Sequence, residues 1–171
     1  MNKIVIVGCG GAGKSTLARQ LGQLLDLPVF HLDAELWKPG WVMSTDEEEQ
    51  IRLKQLVEKE AWIIDGNYGS TMAVRFAAAD AIIFLDFPRW ICVMRILKRW
   101  WRYRNKTRPD MANDCPERLD IYFLRWIWNY RKTSRPKILE VIHQHTKNRE
   151  IIFLRNSGEV RRFLRDLKQP K

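Results

Sequence analysis

The amino-acid sequence predicts an α/β fold, a five-stranded parallel sheet with helices on both faces. Three observations predict it. Short runs rich in β-branched and aromatic residues alternate with stretches whose apolar residues recur at helical spacing. The first of those runs leads into a glycine cluster, GCGGAGKS (residues 8–15), which opens the first helical stretch. The 171 residues, 46% of them hydrophobic, suffice for one good core, and no repeat, low-complexity tract or linker divides them. Residues 1–171 are therefore expected to form a single domain.

KIVIVG is a β-branched run ending in glycine, as a buried parallel strand does, and STLARQLGQLL then carries apolar residues at helical spacing. After Pro28, VFHLD reads as the second strand. KPGW is a turn, and Ser44 to Glu48 forms an acidic helix start ahead of Ile51, Leu53, Leu56 and Val57. AWIIDGNYG is a third strand running into a turn, and DAIIFLDFP a fourth, stopped by Pro88. Residues 89–104 and 117–133 read as helices joined by the polar, proline-containing connector NKTRPDMANDCPE. A further helix is expected from about Pro136 to His145, followed by EIIFLRN as the fifth strand and a final helix in the tail.

The net charge of +10 is unevenly distributed. Between Arg89 and Arg135 stand thirteen Lys/Arg and four Asp/Glu, so the rest of the chain is almost neutral, and five of the eight tryptophans fall in the same span. Cys9, Cys92 and Cys115 suit neither a disulfide framework nor a zinc site, and the three histidines lack a metal-ligand pattern. No apolar run approaches the ~18 residues that cross a bilayer, and no leader pattern precedes the first strand, so a cytoplasmic protein is expected.

The glycine cluster fits two phosphate-binding patterns. Gly8, Gly10 and Gly13 spell G-x-G-x-x-G, and Asp33 lies about twenty residues on, as a dinucleotide site requires. Gly8, Gly13, Lys14 and Ser15 spell G-x-x-x-x-G-K-[ST]. Lys14 and Ser15 favour the second. A dinucleotide fold has no need of a cation in the first helical turn, where the helix dipole opposes it. A triphosphate needs both residues: the lysine for the β- and γ-phosphates, the serine hydroxyl for Mg²⁺. The expected ligand is ATP with Mg²⁺, cradled by Gly8, Gly10, Gly11, Ala12, Gly13, Lys14, Ser15 and Thr16. Asp33, Asp65 and Asp86 each follow an apolar strand and should share the carboxyl rim of the sheet, where one could support Mg²⁺ and another orient an attacking hydroxyl.

The stretches GCGGAGKST, FHLDAELWKPGW, WIIDGNY, RWICVMRILKRWWRYRNKTRPD and CPERLD resemble the adenylate kinase-related family of small P-loop kinases, most closely its members labelled topology modulation protein, or FlaR-like. The resemblance implies a P-loop NTPase fold with a sheet of nucleoside-monophosphate kinase type. It also implies an Arg-rich helical lid, a lid-like insertion at about 99–135. Asp65-Gly66 would precede an acceptor-site turn, here followed by Asn67-Tyr68 and not by Phe-Pro-Arg. Val93, Arg95, Ile96 and Arg99 match a V-x-R-I-x-x-R pattern whose first arginine packs on adenine and whose second faces the phosphates. The turn Asn156-Ser157 would close the adenine end. The resemblance places Asp33 beside the acceptor and leaves Asp65 to join Ser15 at Mg²⁺. Arg95, Arg99 and Arg102 form one basic helix stripe and Met94, Leu97 and Trp101 an apolar one. Arg131 and Arg135, four apart, are candidates for the far side of the transferring phosphate.

Two functions follow. One is an ATP-dependent phosphotransferase acting on a nucleotide, nucleoside or other hydroxyl-bearing small molecule, with Lys14, Asp33, Arg99 and Arg131 in catalysis. The alternative is an NTP-binding regulatory protein that grips nucleic acid through RWWRYRNKTR. A basic amphipathic helix on a membrane surface is a third reading. The kinase is preferred, because the loop facing the Arg-rich element then explains it.

Overall fold

The computed structural model describes residues 1–145 and 149–168. Its sheet contains β1 (Lys3–Gly8), β2 (Val29–His31), β5 (Trp62–Asp65), β6 (Ala81–Leu85) and β7 (Glu150–Leu154), all parallel, in the order β2-β5-β1-β6-β7. Ile4 to Val7 and Ile82 to Phe84 are wholly buried, which is why these runs are apolar without alternation. The register aligns the carboxyl ends along one rim, pairing Ile6 and His31 with Asp65, Gly8 with Leu85, and Leu85 with Leu154.

The helices are α1 (Lys14–Leu25), α2 (Leu32–Leu36), α3 (Asp46–Val57), α4 (Met72–Ala78), α5 (Arg89–Tyr103), α6 (Ile121–His145) and α7 (Ser157–Lys168). A capping box between Thr45 and Glu48 starts α3, as its acidic opening predicts. The KPGW turn joins a two-stranded hairpin, β3 (Trp37–Lys38) with β4 (Val42–Met43).

Three elements differ from the sequence expectation. The second strand stops at His31, and Asp33 lies in the first turn of α2, because Leu32 and Leu36, one helical turn apart, both bury in the core. The helices expected at 117–133 and 136–145 are one, α6, which runs through Pro136. Ile127, Tyr130, Ile138 and Ile142 form a continuous buried face across that proline, so packing outweighs the backbone hydrogen bond it removes. This helix begins at Ile121 because Asp120 Oδ1 accepts the N–H groups of Tyr122 (2.8 Å) and Phe123 (3.4 Å). The short α4, entered through a 3-10 turn at Gly69–Thr71, has no counterpart in the predicted elements.

Most buried residues form one core around the sheet. A second, smaller cluster joins Met111, Ala112 and Cys115 to Trp37 and Trp41 of the hairpin. Cys9, Cys92 and Cys115 are buried and free.

Candidate active site

The carboxyl rim carries a cleft of about 880 Å³, with the glycine loop between β1 and α1 as its floor. Gly11 has φ +79°, and a Cβ there would lie 2.4 Å from the Cys92 carbonyl; Gly13 caps α1 in the left-handed region at φ +101°. The loop thus presses against the α5 backbone while its N–H groups surround the start of α1, an anion-binding arrangement. Lys14 Nζ donates to the carbonyls of Gly8 (3.0 Å) and Cys9 (3.2 Å). Asn67, in the turn after β5, grips Gly8 from both sides, accepting its N–H at 3.1 Å and donating to its carbonyl at 2.9 Å.

Ser15 Oγ donates to Asp65 Oδ2 at 2.9 Å, and the other oxygen of Asp65 meets His31 Nδ1. Burial opposes charge on His31, yet the hydrogen bond and charge of Asp65, with Asp110 beyond, leave its pKa raised. Asp110 approaches the same point from the segment between α5 and α6. Burial works against its ionised form, but the Arg108 charge and the Ser15 hydroxyl hold its pKa below the usual carboxylate value. A hydroxyl and a carboxylate side by side are the oxygen donors that Mg²⁺ takes. Among the described residues no group of three or more His, Cys, Asp or Glu side chains could hold a metal ion.

Arg95 donates to the Ala12 carbonyl (2.8 Å) and to Ser157 Oγ (2.9 Å), with its guanidinium 4.6 Å from the Phe87 ring centroid. It therefore links the glycine loop to the start of α7, the end of the cleft expected for adenine. Arg99 reaches the cleft but pairs with Glu117 at 2.8 Å, which also takes Arg108 at 2.7 Å. Asp33 lies across the cleft and accepts from the Tyr68 hydroxyl at 2.8 Å. Burial first, then the charge and hydrogen bond of Asp33, pushes the Tyr68 pKa up.

The rim thus brings together Lys14, Ser15, Thr16, Asp33, Asp65, Arg95 and Arg99. It does not bring in Arg131 or Asp86. Arg131 stands exposed on α6, outside the cleft lining, because the helix turns its neighbour Tyr130 into the core. Asp86 is held by Arg135 through two hydrogen bonds of 2.9 and 2.8 Å, and neither residue is in the cleft lining.

No family profile matches the chain. Individual proteins do. Shikimate kinase 1 of Yersinia enterocolitica is 31% identical over 130 residues, covering 67% of this chain and 72% of that protein. The chain belongs to the shikimate kinase-related family of P-loop kinases. Among solved structures, a shikimate kinase from Acinetobacter baumannii in complex with shikimate matches with a TM-score of 0.61 at 17% identity, over 98% of this chain and 90% of that one. A deoxyadenosine kinase from M. mycoides with bound dATP matches with a TM-score of 0.53 at 15% identity, over 97% and 99%. At these identities the two structures establish the fold, which is the α/β P-loop architecture that the sequence predicts.

Membership in this kinase family makes the chain an ATP-dependent small-molecule phosphotransferase and supports that reading over the nucleic-acid alternative. Among the described residues no helix is long and apolar enough to cross a membrane.

Several residues that shape this kinase site carry no motif. Arg75, on α4, is wholly buried and donates to the carbonyls of Gly66 (2.9 Å), Asn67 (2.8 Å) and Tyr68 (3.0 Å), fixing the turn that presents Asn67 and Tyr68. Burial lowers its pKa to about 10, which leaves it charged at neutral pH. Its sequence signal was an arginine among Met72 and Phe76 on an apolar helix face. Asp110 and Glu117 lie in the connector, where composition alone reads as a polar loop.

Proposed function

We propose that this chain transfers the γ-phosphoryl group of ATP to a hydroxyl of a small acceptor, as a single domain whose segment 99–135 acts as the lid. What supports the reading is one continuous cleft with the phosphate loop at its centre, Arg95 and Ser157 at one end and Asp33 at the other. Lys14 and the loop N–H groups hold the phosphates, and Arg95 packs on the base. Ser15 and Asp65 would hold Mg²⁺, which supplies charge neutralisation at the phosphate oxygens. Asp33, oriented by Tyr68, accepts the proton of the attacking hydroxyl. Arg99, released from Glu117 when the lid meets the phosphates, places positive charge on the migrating group. ATP use and three free thiols suit the cytoplasm. Within the kinase family, the finer likeness to the FlaR-like members rests on GCGGAGKST, FHLDAELWKPGW, WIIDGNY, RWICVMRILKRWWRYRNKTRPD and CPERLD together.

ATP with Mg²⁺ should raise thermal stability, by about 2.7 kcal/mol at one hundred times its dissociation constant, and NAD should not. Lys14→Ala should remove the effect. Equal stabilisation by NAD, indifferent to Lys14→Ala, would overturn the triphosphate assignment.

A further inference from the structure

The cleft has two chemically different ends. The sheet order places β7 and α7 at one edge and β2 and α2 at the other, with the phosphate loop between them. Lys14, Arg95, Lys98, Arg99, Arg102 and Arg161 line the cleft, with Arg95 tied to the start of α7 through Ser157 and Arg99 turned to Glu117 of the connector. The β2 end is acidic and aromatic: Asp33, Asp65 and Asp110 stand with Trp37, Trp41 and Tyr68.

The arginines near that end are largely committed. Arg108 is 7% exposed and its charge is answered by Asp110 at 3.0 Å and Glu117 at 2.7 Å. Buried Arg75 is used by the three carbonyls of the 66–68 turn, and Arg52 pairs with Glu35 at 2.6 Å. Arg19 and Arg118 line the rim but are exposed, and Arg118 lies 4.6 Å from the Trp41 ring centroid. An acceptor carboxylate or phosphate placed here would sit beside Asp33, Asp65 and Asp110, facing Arg108 and Arg99, which share Glu117 and of which Arg108 is also held by Asp110. That is an unfavourable burial of like charge.

The aromatic groups present the opposite opportunity. Trp37 and Trp41 meet edge to face, their centroids 5.5 Å apart at 74°. Tyr68 lines the cleft with these two tryptophans and donates to Asp33 Oδ1, so the group that orients the carboxylate stands with the aromatic wall. One oxygen of Asp33 is left for an acceptor hydroxyl beside that wall.

Resting on the kinase reading, we infer that the acceptor is an uncharged molecule with a hydroxyl for Asp33 and a flat ring for Trp37 and Trp41, the chemistry of a nucleoside and not of a sugar acid or nucleotide. The chain thereby parts from the relatives named for shikimate, whose acceptor is a carboxylic acid. Glu117 is the specificity-determining residue of this arrangement, because it keeps Arg108 neutralised.

The test offers ATP, Mg²⁺ and three acceptor panels: nucleosides, nucleoside 5′-monophosphates, and the hydroxy acids shikimate and gluconate (a sugar acid), with products read by mass spectrometry. At least one nucleoside should exceed every anionic acceptor in kcat/KM by about tenfold or more. Trp41→Ala should raise the KM of that nucleoside by about 5- to 100-fold, the scale of one lost base–aromatic stack, leave the KM of ATP within about twofold, and be rescued by Trp41→Phe. Glu117→Gln should shift the preference toward the hydroxy acids. Preference of the unaltered enzyme for an anionic acceptor, or no product from any nucleoside, overturns the inference. Lys14-dependent ATP binding, measured in parallel, reports separately on the kinase reading, which survives either result if that binding persists and fails if Lys14→Ala leaves it unchanged.

Discussion

Arg135 meets Asp86 through two parallel hydrogen bonds, Nε to Oδ1 at 2.9 Å and Nη2 to Oδ2 at 2.8 Å, joining α6 to the loop after β6. Asp86 is 7% exposed, so the pair works as an anchor. Arg135→Ala should cost about 1–3 kcal/mol in chemical denaturation, the scale for hydrogen bonds to a charged group, while phosphoryl transfer by the folded enzyme changes only a few-fold. A large fall in kcat with stability intact would return Arg135 to the chemistry.

Asp33 and Tyr68 should separate chemistry from nucleotide binding. Asp33→Asn keeps the shape but removes the proton acceptor, so transfer should fall by about 10²- to 10⁴-fold. ATP affinity, measured by titration calorimetry, should stay within a few-fold. Tyr68→Phe should produce a smaller loss, because the carboxylate remains and only its orienting hydrogen bond is gone. Equal losses of ATP binding in both variants would move Asp33 to the metal.

Arg95 and Arg99 lie one helical turn apart on α5 and should fail differently. Arg95→Ala removes the tie between Ala12 and Ser157 together with a stacking surface, and should raise the KM of ATP. Arg99→Ala should lower kcat by about 10³-fold, as for an arginine acting on the migrating phosphoryl group. Single-turnover kinetics distinguish the two patterns.

Asp80 supplies a pH signature away from the cleft. Its Oδ2 accepts the N–H groups of Asn2 (2.7 Å) and Lys3 (2.9 Å), and these bonds hold its pKa below the ordinary carboxylate value. A folded-state pKa that is depressed contributes stability above the unfolded pKa of about 3.9 and loses it as pH falls through the folded value. Acid unfolding of Asp80→Asn should therefore show less loss of stability below about pH 4 than the unaltered chain. Parallel curves for the two proteins would mean that the bonds to Asn2 and Lys3 do not favour the charged carboxylate.

The site divides along a physical line between local and distant causes. Gly8 to Ser15 could be read directly, because a loop that wraps phosphates is built from consecutive residues and its conformational demands appear as glycines at set positions. Asp65 and Arg95, both in the cleft lining, were legible as candidates, the first from its place at a strand end and the second from the resemblance of residues 93–99 to a kinase-family pattern. Asp86 was legible as a strand-end carboxylate, but its partner lies 49 residues along the chain, and no local pattern announces that pairing. Arg131 lies outside the cleft lining by helix phase, one residue on from buried Tyr130, and periodicity over so long a helix does not announce that phase.

By itself the sequence determined the alternation of strands and helices, the phosphate loop and its Lys14 and Ser15, and the concentration of charge between Arg89 and Arg135. These are properties of periodicity, composition and short spacing. Only the tertiary structure decided what those charges face. The sheet order brings β2 and β7 to opposite edges of one rim, and the 104–120 segment docks on the hairpin through Trp41 Nε1 to the Pro116 carbonyl at 3.2 Å and Gly40 N–H to the Asp114 carbonyl at 3.1 Å. Arg108 and Arg99 are thereby set against Glu117 and the aromatic wall against Asp33. Contacts between segments so far apart in the chain depend on which surfaces the packed core leaves adjacent, and only the folded sheet brings those surfaces together.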